Sequence, residues 1–153
     1  MKRLLLFFLL LLSFTACDRN RVFESYEAVP HDGWSKDAGI SFNFDIQDTI
    51  QAHNLYINIR NKGNYPYSNI WLFLSVDSPD GASIADTLEF ALADNAGRWL
   101  GSGLGDLFDN QFIYRSNIYF PQRGAYQFNI QHGMRNEMLE GISDVGVRIE
   151  KRK

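Results

Sequence analysis

The chain reads as an all-β protein, an antiparallel β-sandwich of about seven to eight strands behind an N-terminal signal helix. Three observations point there. Apolar and polar residues alternate with a period of two in at least five separate runs, which is what a strand with one buried face requires. Turn-forming clusters of Gly, Pro, Asn and Asp separate those runs at short intervals. Aromatic residues make up 14% of the 153 residues, with 12 Phe and 7 Tyr, a composition that favours pleated sheet. Strands do not alternate with long helical patterns, so a doubly wound nucleotide fold is disfavoured.

The elements follow in chain order. Met1-Lys2-Arg3 is a basic start, and Leu4 to Leu12 is an unbroken run of Leu and Phe. At about 1.5 Å per helical residue this run is far too short for a hydrocarbon core of about 30 Å, so it reads as the apolar region of a secretory signal over residues 1–16. Ser13-Phe14-Thr15-Ala16-Cys17 then places the chain's single cysteine behind a small residue, as in a bacterial lipobox. Cys17 is the expected lipid attachment site and the first residue of the mature chain. Phe14 stands where such motifs usually carry Leu. A lone cysteine leaves no intrachain disulfide and no cysteine-based metal site. Residues 17–21 are expected to be a lipidated tether, and residues 22–153 one domain.

Within that domain Ile40, Phe42, Phe44 and Ile46 alternate with Ser41, Asn43 and Asp45. Leu55, Ile57 and Ile59 alternate with Tyr56, Asn58 and Arg60, before the turn Asn61-Lys62-Gly63-Asn64. Ile70 to Leu74 is apolar on both faces, which predicts a central strand buried on both sides. Ser78-Pro79-Asp80-Gly81 is a turn. Leu88, Phe90 and Leu92 alternate with Thr87, Glu89 and Ala91; Gln111 to Phe120 predicts one or two strands ended by Pro121. After Gln122-Arg123-Gly124, Tyr126, Phe128 and Ile130 alternate with Gln127, Asn129 and Gln131. Arg135 to Leu139, stopped by Gly141, is the best helical stretch. Val145, Val147 and Ile149 close the series against Gly146, Arg148 and Glu150.

Composition and motifs narrow the function. A formal net charge of −3 argues against a nucleic-acid binder driven by phosphate contacts. Gly101-Ser102-Gly103-Leu104-Gly105-Asp106 lacks both the dinucleotide spacing and the Lys-Ser/Thr of a P-loop, and predicts a flexible loop between strands. His31, His53 and His132 have no paired metal-ligand spacing. No Gly-x-Ser-x-Gly elbow is present. Asp77 and Asp80 are too few oxygens for a calcium loop and read as a strand end. No catalytic residue, metal or cofactor is expected. The aromatics are more suggestive: Tyr65-Pro66-Tyr67 lies in a predicted loop, and Arg98-Trp99 leads into the glycine-rich segment that ends at Asp106. Tyr and Trp stack on sugars and fill interface pockets; they also cap the ends of sandwich cores. Tyr65, Tyr67, Arg98, Trp99 and Asp106 form the candidate binding surface.

These segments together resemble the GldH family of gliding-motility lipoproteins of the Bacteroidetes. The resemblance rests on the lipobox at Cys17, on Leu55 to Asn61 followed by Tyr65 to Asn69, and on Asp86 to Phe90 with Leu92 to Asp94. It continues through Gly97 to Gly101, Gly103 and Gly105-Asp106, and closes with Arg123 to Tyr126, Gln131, Met134-Arg135, Leu139, Gly141-Ile142 and Asp144 to Gly146. It implies a non-enzymatic envelope lipoprotein, held on the membrane by its lipid, with protein partners in the motility and type IX secretion apparatus. Only the lipid-bearing cysteine carries over, onto Cys17. Asp18-Arg19-Asn20-Arg21 is net basic and lacks the acidic run of surface-exported lipoproteins in that phylum, so the expected place is the outer membrane, facing the periplasm. The alternative is a carbohydrate- or cell-wall-binding module using Tyr65, Tyr67 and Trp99.

Overall fold

A computed structural model describes residues Asp18 to Arg152; the expected signal and Cys17 lie outside them. Strands β1 (Arg21–Ala28), β2 (Trp34–Ser35), β3 (Ile40–Ile46), β4 (His53–Lys62), β5 (Asn69–Asp77), β6 (Ser83–Ala91), β7 (Ser102–Leu104), β8 (Leu107–Ile118), β9 (Gly124–His132), β10 (Met138–Leu139) and β11 (Ile142–Lys151) follow in order. All pair antiparallel. One sheet runs β1-β11-β4-β8-β7, a second β3-β9-β5-β6, and β10-β2 is a two-stranded clip. The all-β antiparallel sandwich expected from the sequence is the fold found, with more strands because β2, β7 and β10 are very short.

Alternation decides the layers. On β4 and β11, Leu55, Ile57, Ile59, Val145, Val147 and Ile149 are all buried, and Ile57 faces Val147 in register. They meet an aromatic-rich inner face on the second sheet: Phe42, Phe44 and Ile46 from β3, and Tyr126, Phe128 and Ile130 from β9. Each such side chain contributes about 1.5–3 kcal/mol by leaving water. Rings also stack in offset pairs, Phe44 on Tyr126 at 5.7 Å and Tyr114 of the opposite sheet on Phe128 at 5.3 Å. One flank of the sandwich is closed by Phe23 against Phe44, and the other by Phe90 against Phe112 and the Tyr114 hydroxyl donating to Asp86 at 2.6 Å.

Four expectations are corrected. The strand at Ile70 to Leu74 is interior in its sheet yet buried on one face only: Ile70, Leu72 and Leu74 point inward, while Trp71 and Phe73 are 39% and 45% exposed. No third layer covers them among the described residues. The Arg135–Leu139 stretch is not helical; Met138 and Leu139 pair with Ser35 and Trp34, and the Lys36 amide donates to Glu137 at 2.8 Å. Five residues are too few to repay helix nucleation when a neighbouring strand offers partners at once. The glycine-rich segment is no loose loop, because Ser102 to Leu104 pair with β8. The expected tether is docked: Arg21 already opens β1, and the Lys151 amide donates to the Asn20 carbonyl at 2.8 Å.

Candidate functional site

The sandwich has two ends. The β3–β4, β5–β6 and β8–β9 connections lie at the end where Asp18 enters, since Arg21 faces Glu150, Lys151 faces His53 and Asp45 faces Ala125. The β4–β5, β6–β7 and β7–β8 connections lie at the opposite end, where Lys62 faces Leu107 and Asn69 faces Ala91. All five candidate surface residues sit at that far end.

They meet, but as a cap more than a platform. Tyr65 is only 4% exposed, and its hydroxyl donates to the Asn69 carbonyl at 2.9 Å. Its ring meets Tyr67 at 5.8 Å and Trp99 at 6.3 Å, and Trp99 continues to Phe108 at 5.7 Å. Burial pushes the Tyr65 hydroxyl well above the ordinary tyrosine range, with the Tyr67 hydroxyl adding to it. Tyr67 and Trp99 are half-buried against the core. The Tyr67 hydroxyl donates to Asn136 at 2.5 Å. Gly141 explains the tight seat: its φ is +84°, and a Cβ there would lie 2.6 Å from the Tyr65 Cα. Only glycine fits both demands.

The two loops are pinned rather than free. The Asp94 carboxylate accepts from the Ala96 and Arg98 amides at 2.9 Å and from the Arg98 guanidinium at 2.8 Å, which closes the turn before Trp99. Those bonds hold Asp94 below the usual carboxylate range, the Arg98 amide first among them. Trp99 bridges to Ala93. Asp106 accepts the Gly63 amide at 3.1 Å, tying the β7–β8 hairpin to the β4–β5 loop. Beneath them Asn110 is buried and donates to Ile59 and Asn61 at 3.0 and 2.9 Å.

Besides Arg98 and Asp106, two leucines outside the five candidates stand out into solvent here. Leu104 is 94% exposed at the hairpin tip, and Leu100 is 58% exposed after Trp99. Arg98 and Asp106 are exposed beside them. The available signal was an apolar residue set between Gly103 and Gly105, where no alternation demands one. A second exposed apolar face is Trp71 and Phe73 on the outside of β5, bordered by Asn129, which donates to Ser75 and Asp77 at 3.1 and 2.8 Å.

The histidines do not converge. His31 is exposed in the turn before β2; His132 is buried with one ring nitrogen 3.0 Å from the Trp34 carbonyl; His53 is buried against Phe120 at the Asp18 end. Among the described residues no group of three His, Cys, Asp or Glu side chains has metal-holding geometry.

The chain matches the GldH lipoprotein family over residues 21–149. It is 39% identical over 153 aligned residues to a gliding motility lipoprotein GldH homolog of Christiangramia forsetii, covering 95% of this chain and 93% of that one. It is 35% identical over 144 residues to the gliding motility lipoprotein GldH of Flavobacterium johnsoniae, covering 90% and 89%. Among solved structures it is similar to a 4-O-methyl-α-glucuronidase specific for decorated arabinogalactans, with a TM-score of 0.44 and 15% identity, over 90% of this chain and 18% of that one. It is also similar to the infectious bursal disease virus VP2 subviral particle, with a TM-score of 0.37 and 14% identity, over 88% and 33%. At these TM-scores neither likeness bears on function.

Proposed function

The chain belongs to the GldH lipoprotein family, and from that premise we propose that it is a non-enzymatic partner-binding lipoprotein of the motility and type IX secretion apparatus. A motility-associated, lipid-anchored envelope protein is what the family membership gives. The finer reading adds lipidation at Cys17, the outer membrane facing the periplasm, and a partner surface at the far end of the sandwich.

One observation carries the partner surface: Leu100 and Leu104 stand exposed on connections that Asp94 and Asp106 hold rigid, at the end opposite the N-terminus. Exposed apolar tips on a fixed scaffold lose little entropy on docking. Arg98 beside them supplies a side chain common at interface hot spots. The buried Tyr65 and half-buried Tyr67 and Trp99 serve this surface from below, as its support.

The test is capture of envelope proteins by purified, lipidated protein from detergent-solubilised membranes of the source cells. Leu100→Asp with Leu104→Asp should lose the captured proteins while melting at the wild-type temperature. Retention of the same proteins by a stable double variant sinks the far-end surface.

The carbohydrate-binding alternative moves to a different place. Tyr65 is too buried to stack on a sugar, but Trp71 and Phe73 lie open beside the amides of Asn129 and Gln131. Retention on a cell-wall glycan matrix that is lost in Trp71→Ala favours this reading over the first.

A further inference from the structure

We propose that the Asp18 end of the sandwich rests directly on the lipid bilayer, with Ile50 and Tyr119 in the interface; this rests on the reading of Cys17 as the lipidated residue.

The chain leaves little slack between the lipid and the domain. Consecutive Cα atoms are about 3.8 Å apart, so Asp18 lies within one residue of the acylated position. Asp18 is itself fixed to the domain. Its carbonyl accepts the Arg21 amide at 3.2 Å, and its carboxylate pairs with Arg148. Arg148 is held in turn by Glu24 and Glu150, each at 3.1 Å. A lipid in the membrane therefore brings this end of the sandwich to the headgroups.

The surface there suits that place. Ile50 is 82% exposed at the tip of the β3–β4 connection, and Tyr119 is 60% exposed after β8. Tyrosine is enriched at the headgroup level, where its ring is apolar and its hydroxyl wet. Between Ile84, itself 61% exposed, and Tyr119 the two sheets part into a cleft of about 460 Å³. Leu55, Val76, Ile118 and Phe120 line it.

Cationic side chains are available here as well. Arg19, Arg123 and Arg152 are exposed at this end, and none has a carboxylate partner among the described residues. Of the acids here, Asp48 accepts the Ile50 and Gln51 amides and pairs with Lys151, while Asp45, Asp77 and Asp80 are bonded by the uncharged Gln47, Asn129 and Ala82 and keep their charge. The far end exposes Asp32, Asp37, Asp106 and Glu140 together with Arg98 and Arg135. Arginines free of carboxylate partners beside apolar tips are able to meet anionic headgroups.

The test uses the full lipidated protein in vesicles of phosphatidylethanolamine with phosphatidylglycerol. Ile50→Cys, Tyr119→Cys and, as the far-end reference, Leu104→Cys are each labelled with a polarity-sensitive fluorophore. Nitroxide groups on the lipid chains serve as quenchers. The first two positions should shift to the blue and lose most of their emission to the quencher, and position 104 should do neither. Arg19→Glu with Arg123→Glu should reduce the quenching at position 50. If all three variants float with the vesicles but behave alike, the orientation is overturned while the lipid anchor stands. If the protein does not float and Cys17 itself takes the fluorophore, the anchor reading fails and the orientation with it.

Discussion

His53 and His132 are sealed in the core, and burial holds both rings below the ordinary histidine value. Among the described residues neither nitrogen of His53, nor Nδ1 of His132, has a partner at full hydrogen-bond geometry, although the Gln51 backbone lies close enough to His53 to offset part of the burial. A histidine whose folded pKa is depressed takes up its proton in the unfolded chain first, so falling pH favours unfolding. The melting temperature should therefore drop as pH falls below about 6.5. His53→Leu with His132→Leu should flatten that drop, and an unchanged slope contradicts the assignment. The aspartates held low by bonds, Asp48 and Asp94 among them, act in a separate window: their contribution is present above about 3.9 and is lost below it. Tyr65 is the other decisive residue. Tyr65→Ala should cost about 3–5 kcal/mol in urea unfolding, the range for deleting a buried aromatic ring. Tyr65→Phe should cost only about 1 kcal/mol, the bond to Asn69. A near-zero cost for Tyr65→Ala would show the ring to be a surface feature after all.

Strands and turns carry the next level. Phe128 is fully buried on the inner face of β9, whereas Ser41 is exposed on the outer face of β3. Phe128→Ala should cost about 3–5 kcal/mol and Ser41→Ala within about 0.5 kcal/mol; equal costs would reverse the facing. In the β7–β8 hairpin the two turn residues are Gly105, with φ at +69°, and Asp106. Glycine at the first position matches the turn type that suits strand twist. Gly105→Val should lower stability by about 1–2 kcal/mol through a strained backbone, read from the melting temperature. Much of this level was legible in the sequence. Ile40, Leu55, Leu88, Tyr126 and Val145 open runs whose alternation is a local property, fixed by one buried face. The rest depended on distant partners. β1 shows no clear period in the sequence, because Val22, Phe23 and Tyr26 on an edge strand are all half-buried. β5 looked covered on both faces because Trp71 and Phe73 are apolar residues turned outward. β2 and β10 are two residues each and have no period to show. The far-end residues are legible as a group, but whether Tyr65 caps the core or faces solvent is not, because nothing local announces that Gly141 will pack against it.

The described residues form a sandwich with two distinct ends. Its N-terminal end is locked by the Asp18–Arg148 pair, and its other end carries Leu100 and Leu104 on pinned turns. Although desolvation opposes it, the bonds from Arg148 to Asp18 and Glu150 hold its guanidinium firmly charged. On the proposed function, anchoring and presentation are separate properties of opposite ends. Cys17→Ala should move the protein out of the membrane fraction or leave it as uncleaved precursor, without changing the melting temperature of the domain. Loss of palmitate labelling in the same variant checks the cause. The central claim, that a lipid-held sandwich offers its far end to envelope partners, is tested most directly by photo-crosslinking in living cells. A photoreactive amino acid replaces Leu104, and a second strain carries it at Gln111, which is exposed on the side of the first sheet. The account predicts a discrete crosslinked envelope protein from position 104, absent from position 111 and lost with Cys17→Ala. No crosslink at position 104, or the same products from both positions, would contradict it.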